Sequence, residues 1–132
     1  MKKIPVIILN WNGFDDTVEC VESLLRQSFQ EFTIYLIDNN SDNEEFEKLN
    51  QKYALDPRII LKKNTTNLGF TLAHNQVFEE LINRDFEFIA LLNNDAVADD
   101  HWLENMYLSA NESNADITAS LMLNYFDHSL VD

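Results

Sequence analysis

Four short polar stretches carry the residue types suited to chemistry in this chain: Asn10-Trp11-Asn12-Gly13, Asp38-Asn39-Asn40-Ser41-Asp42, Asn64 through Phe70, and Asn93-Asn94-Asp95. Each follows an apolar run, so each sits where a strand would deliver its last residue. Asparagine and aspartate have an ordinary use there, because both hydrogen-bond locally and tolerate unusual dihedrals in turns. Together the four clusters are also a set of oxygen donors, the kind that holds Mg²⁺ or Mn²⁺. A cation placed between carboxylate and phosphate lets an acidic protein bind a phosphorylated ligand. A glycine-rich phosphate loop is not available. The only glycines are Gly13 and Gly69, and neither lies in the spacing of a dinucleotide fingerprint or a Walker loop.

The elements that must position these clusters alternate along the chain. Val6 to Leu9, Thr33 to Ile37, Ile59 to Leu61 and Phe86 to Leu92 are runs of β-formers of the length that suits strands buried on both faces. Ile117 to Met122 reads as one more strand. Val18, Val21, Leu24 and Leu25 fall on one helical face, with Asp16 and Glu19 spaced as a capping box. Phe46, Leu49 and Tyr53 mark a second helix. Ala73, Val77, Leu81 and Ile82 mark a third, and a fourth starting near Asp99 or Asp100 carries Leu103, Met106 and Tyr107. Strands alternating with helices predict a single α/β domain with a mainly parallel sheet. In such open sheets ligands bind beyond the carboxyl ends of the strands, where all four clusters fall.

Composition narrows the partners. With 23 acidic and 9 basic residues the formal net charge is -14, which disfavours nucleic acid and an anionic membrane surface. No apolar run approaches the roughly 20 residues that span a bilayer. The N-terminal apolar stretch is interrupted by Asn10 and Asn12 and reads as a buried strand, not a signal peptide. Cys20 is the only cysteine, which favours a reducing, cytoplasmic setting and a structural role for the thiol.

The same residues resemble family 2 glycosyltransferases, over roughly 4–105. Val6-Ile7-Ile8-Leu9-Asn10-Trp11-Asn12 is similar to the family's opening strand. Val21-Glu22-Ser23-Leu24-Leu25-Arg26-Gln27-Ser28 resembles its first helix with Ser-Leu-x-x-Gln. Ile37-Asp38-Asn39-Asn40-Ser41-Asp42 matches Asp-Asn-x-Ser-x-Asp, and Asn67-Leu68-Gly69-Phe70 followed by Asn75 matches Asn-x-Gly-Phe…Asn. Leu91-Leu92-Asn93-Asn94-Asp95 resembles the DXD motif in the Asn-x-Asp form of rhamnosyltransferase-like members. Two departures stand out: Leu9-Asn10-Trp11 replaces the usual Pro-Thr-Tyr, and Asn93 replaces the first DXD carboxylate.

The resemblance implies a GT-A type nucleotide-diphospho-sugar transferase fold and glycosyl transfer, with inversion, from a nucleotide-diphosphate sugar to a sugar or lipid-linked acceptor in surface glycan synthesis. It implies that Asn10, Trp11 and Asn12 border the nucleoside and that Asp38 accepts a hydrogen bond from the imide N–H of uracil or thymine. It further implies that Asn67, Gly69 and Asn75 shape the base and ribose side, that Asn93 and Asn94 flank the diphosphate, and that Asp95 ligates Mg²⁺ or Mn²⁺. The family's general base lies well after the DXD motif, so no catalytic residue is assigned. The expectation is a truncated donor-binding domain that transfers poorly alone, from a longer protein peripheral to the inner face of the membrane. Two other classes stay open, a sugar nucleotidyltransferase and a non-catalytic binding or assembly module. From the residues alone, Asp99 and Asp100 read as helix capping, Glu44, Glu45 and Glu47 as a solvated helix face, and His74 and His101 as helix-surface or first-turn residues. No zinc-ligand spacing is present.

Overall fold

The computed structural model describes residues 3–131. Four strands, β1 (Ile4–Asn10), β2 (Phe32–Asp38), β3 (Ile59–Lys63) and β4 (Ala90–Leu91), form one sheet in the order β3-β2-β1-β4. Every pairing is parallel. The helices are α1 (Phe14–Leu25), α2 (Glu45–Tyr53), α3 (Gly69–Leu81) and α4 (Trp102–Ser113).

Strand residues alternate between two apolar layers, as the period of two requires. Ile4, Val6, Ile8, Phe32, Ile34 and Leu36 pack with Cys20, Val21 and Leu24 of α1, Leu49 and Tyr53 of α2, and Leu103 of α4. Ile7, Tyr35 and Ile37 pack on the other face against Val77 and Leu81 of α3. With both faces covered, β1 and β2 are continuous apolar runs, as expected of central parallel strands.

The Ser-Leu-x-x-Gln segment, running from the last turn of α1 to just past its end, has a visible structural task. The Ser23 hydroxyl accepts the Ala98 N–H at 3.0 Å, while the buried Gln27 amide donates to the Asp99 carbonyl and accepts the Leu103 N–H at 2.8 Å. These bonds staple the segment after Asp95, and the start of α4, onto α1.

Some expected elements differ. Only Ala90–Leu91 of the expected Phe86 to Leu92 strand pairs, with Val6 and Ile7. The Ile117 to Met122 strand does not form, and Ile117 is 89% exposed. β-Propensity needs a neighbour to complete its ladder, and among the described residues this segment has none, the isolated Leu123–Val131 bridge lying just past it. Helix α1 begins at Phe14 with Gly13 as its cap residue. Asp16 therefore sits in the first turn, favourable to the helix dipole, instead of forming a capping box with Glu19. Ile82 is the exposed C-cap of α3. No helix among the described residues is long and apolar enough to cross a membrane.

Candidate functional site

Parallel register sets the carboxyl ends of β1 and β2 level, pairing Asn10 with Asp38. Both side chains are fully buried. The two protons of Asn10 Nδ2 are shared among three acceptors, Asp38 Oδ1 at 2.9 Å, Glu45 Oε2 at 3.0 Å and Ser41 Oγ at 3.1 Å. Its Oδ1 accepts the Thr17 hydroxyl at 2.7 Å. The second Asp38 oxygen accepts the Ser41 N–H at 3.1 Å. Glu45 thus turns inward from the first turn of α2 to meet Asn10, and only Glu44 and Glu47 keep the solvated position expected of the three. Two carboxylates therefore share one amide, which forms the floor of the sheet edge and not a surface open to solvent.

The neighbouring Asn39, also buried, organises the 64–70 loop. Its amide donates to Asn67 Oδ1 at 2.8 Å, and its Oδ1 accepts from Asn64 Nδ2 and the Leu68 N–H, both at 3.0 Å. Asn67 in turn accepts the Gly69 N–H at 2.8 Å. Gly69 has φ +69°, a left-handed conformation that glycine adopts without Cβ strain, and it opens α3. Across the edge, Asn12 (φ 52°) accepts the Asp42 N–H at 2.7 Å, tying the first two clusters together.

Above this floor lies an open cleft of about 470 Å³ lined by Leu9, Trp11, Asn39, Asn67, Gly69, Phe70, His74, Leu92, Asn93, Asn94 and Asp95. Trp11 is 57% exposed and Phe70 59%, so the cleft offers aromatic faces to solvent. His74 packs under Phe70 with ring centroids 4.1 Å apart, and its Nδ1 lies 2.7 Å from the Phe70 carbonyl. A carbonyl only accepts, so Nδ1 carries the proton. His74 is thus a buried wall residue, because the ring it supports and the carbonyl it caps are on its own helix one turn back.

The candidate residues divide into three groups. Trp11, Asn67, Gly69, Asn93, Asn94 and Asp95 line the cleft. Asn10 and Asp38 lie beneath it, Asn12 is exposed at its rim and Asn75 is exposed on α3. Thr17, Asn39, Glu45, Phe70 and His74 were not singled out from the sequence for this edge. Only the Asn64–Phe70 and Asp38–Asp42 clusters held a signal for any of them, through Asn39 and Phe70.

Asp95 is the one carboxylate among the lining residues, is exposed, and has no hydrogen bond or ion pair to its side chain among the described residues. No group of three or more His, Cys, Asp or Glu there suits a metal on its own. One carboxylate with neighbouring amide carbonyls does fit Mg²⁺ or Mn²⁺ bound jointly with phosphate oxygens and water, the usual arrangement for Mg²⁺ with phosphorylated substrates. Asp99 belongs to the approach to α4, its carboxylate accepting the His101 N–H at 2.9 Å, and Asp100 pairs loosely with Arg26 at 3.7 Å.

Cys20 lies behind this turn and donates its S–H to the Asn93 carbonyl at 3.3 Å. Burial, and secondarily the Asp95 charge, push its pKa from 9.0 up to about 12. The folded thiol holds its proton more tightly than the unfolded one. Its contribution to stability is therefore whole below pH 9 and lost as pH rises toward 12. Native protein should resist a thiol-specific disulfide reagent at pH 8 and react fully in denaturant, and its urea midpoint should fall between pH 8.5 and about 10.5. Rapid native labelling would contradict this picture.

A sequence model described as Glycosyl transferase family 2 matches residues 6–131. The chain is 28% identical over 108 residues to the bifunctional glycosyltransferase pgtA of Dictyostelium discoideum, covering 80% of this chain and 14% of that protein. It is 25% identical over 122 residues to glycosyltransferase GlyG of Streptococcus pneumoniae, covering 92% and 40%. The chain therefore spans less than half the length of these relatives. Among solved structures, S. aureus TarS in complex with UDP-GlcNAc superposes with a TM-score of 0.73 at 21% identity, over 92% of this chain and 33% of that one. The mannosyltransferase PcManGT from Pyrobaculum calidifontis, in complex with GDP-Man and Mn²⁺, superposes with a TM-score of 0.71 at 16% identity, over 96% and 37%. These likenesses establish the GT-A type fold that the motif order predicts. With the ordered Asn/Asp clusters gathered at one sheet edge and a family match running nearly end to end, the chain belongs to glycosyl transferase family 2.

Proposed function

We propose that this chain binds the nucleotide-diphosphate sugar in a metal-dependent, inverting glycosyl transfer to an acceptor hydroxyl, in the assembly of a surface glycan. The observation that carries the reading is the unpaired Asp95 carboxylate, standing in a cleft with exposed aromatic faces. Trp11 and Phe70 offer those faces to the nucleobase, and Asn39 and Asn67 set polar groups beside it. Asn93 and Asn94 flank the diphosphate, and Asp95 with the diphosphate holds Mg²⁺ or Mn²⁺. A cation bound there supplies electrostatic stabilisation for the charge growing on the departing nucleoside diphosphate. The acceptor hydroxyl attacks the anomeric carbon from the face opposite the leaving group once a general base takes its proton. No residue is assigned to that role.

Support comes from two neighbours of the same fold, seen with UDP-GlcNAc and with GDP-Man and Mn²⁺. The preference for UDP or TDP rests on the family resemblance at Asp38 and not on a contact, since both Asp38 oxygens are engaged beneath the cleft. Calorimetric titration of UDP, TDP and GDP, each with and without Mn²⁺, tests this. The expected result is binding that strengthens at least about tenfold with Mn²⁺, or about 1.4 kcal/mol, with a pyrimidine nucleotide ahead. Equal affinity with and without the cation would refute the metal-dependent reading.

A further inference from the structure

The Asp95 turn is weakly anchored by the sheet. Strand β4 stops at Leu91, and the last ladder contact is the Leu92 N–H to the Ile7 carbonyl at 3.1 Å. Beyond it, the turn is held by the Cys20 thiol on the Asn93 carbonyl and the Ala96 N–H on the same carbonyl at 3.2 Å. A thiol is a weak donor. The remaining anchor before the Ala98–Ser23 staple is the Asn94 side chain, whose Nδ2 donates to Thr17 Oγ1 at 3.0 Å.

Thr17 is fully buried one turn into α1, and its single hydroxyl proton goes to Asn10 Oδ1 at 2.7 Å. The direction is fixed. Asn10 Nδ2 faces three acceptors, so Oδ1 must be the atom turned toward Thr17, and an amide oxygen only accepts. The line therefore runs from Asn94 to Thr17 to Asn10 to the carboxylates of Asp38 and Glu45, with every donor pointing toward the negative charge. Bonds aligned in this way strengthen one another in a buried setting. Gly13 leaves room for the line. A Cβ there would come within 2.8 Å of Asn94 Nδ2, although its φ of −135° suits any residue.

We propose that Thr17 is a positioning residue for donor binding: through the Asn94 amide its hydroxyl fixes the Asn93–Asp95 turn, coupling the cation side of the cleft to the buried Asp38 carboxylate. The proposal rests on the donor-binding reading above for its functional consequence, but its structural consequence stands without any ligand. It requires no contact between Thr17 and substrate or metal.

Three variants of the full chain separate this role from simple core filling. Thr17→Val keeps the volume and loses the hydroxyl, Thr17→Ser keeps the hydroxyl, and Gly13→Ala leaves Thr17 intact but displaces Asn94. Without ligand, hydrogen–deuterium exchange of the 93–97 amides should rise about five- to tenfold in Thr17→Val and Gly13→Ala, the worth of one buried hydrogen bond, with the β1 and β2 amides unchanged. The gain in UDP affinity on adding Mn²⁺ should shrink by a similar factor in both. Thr17→Ser should stay near wild type in each. Unchanged exchange in Thr17→Val and Gly13→Ala, or Thr17→Ser matching Thr17→Val, would overturn the positioning role. If Thr17→Val does not fold, Gly13→Ala decides the matter alone. If wild-type protein shows no Mn²⁺ effect on UDP binding, the functional reading fails, and the exchange measurements still decide the role of Thr17.

Discussion

Replacing Asp95 with Asn should remove most of the Mn²⁺-dependent gain in nucleotide diphosphate affinity, at least about tenfold, while stability stays within about 0.5 kcal/mol of wild type. The two halves of this expectation have separate causes. Asp95 is exposed and its carboxylate has no hydrogen bond or ion pair among the described residues, so folding loses little when its charge is removed. It is also the sole carboxylate lining the cleft. Asparagine keeps the shape and a carbonyl oxygen, so the loss measures the charge that a hard cation prefers. Calorimetry with UDP, with and without Mn²⁺, reads the first half and urea unfolding the second. The same variant should lower the Cys20 pKa slightly, because the Asp95 charge is the lesser of the two causes that raise it. Metal-dependent affinity equal to wild type would remove Asp95 from the metal assignment.

The largest stability effect is expected at Asn10. Asn10→Ala should destabilise the fold by roughly 3 kcal/mol or more, because two carboxylates lose a shared donor and the buried Thr17 hydroxyl loses its acceptor. Removing one partner from a buried charged network costs more than the net worth of the bonds, since the remaining groups are left desolvated and unpaired. Asn10→Asp keeps the side-chain shape but sets a third carboxylate beside Asp38 and Glu45. Like-charge repulsion should make it at least as destabilising as Asn10→Ala at neutral pH. Urea denaturation at pH 7 checks both variants. A loss below about 1 kcal/mol in Asn10→Ala would show that water replaces the amide without difficulty and that the floor of the site is not a tight network.

The apolar periods and the polar clusters were sufficient to locate β1, β2, β3 and all four helices, because both faces of a parallel sheet must be covered and each strand end must turn. They also carried the family resemblance. Where the reading overreached, the missing information was a neighbour. Phe86 to Leu92 has strand composition but pairs over two residues only, and Ile117 to Met122 has strand composition and no ladder. Local pattern records what a segment can become, while pairing depends on which backbone lies beside it.

At the site the same division holds. Types and spacing put four polar clusters beyond the strand ends, and the family resemblance picked out Trp11, Asn67, Gly69, Asn93, Asn94 and Asp95 within them, which line the cleft. Spacing could not reveal that Asn10 and Asp38 lie under the cleft, that Glu45 turns inward from a row of three glutamates, or that Thr17 joins Asn10 to Asn94. Those facts follow from parallel register, which sets Asn10 against Asp38, and from the packing of α1 and α2 over the same edge. Sequence determined the chemistry carried to the sheet edge. Tertiary structure decided which of those groups satisfy one another in the low-dielectric interior and which, above all Asp95, remain available to a ligand.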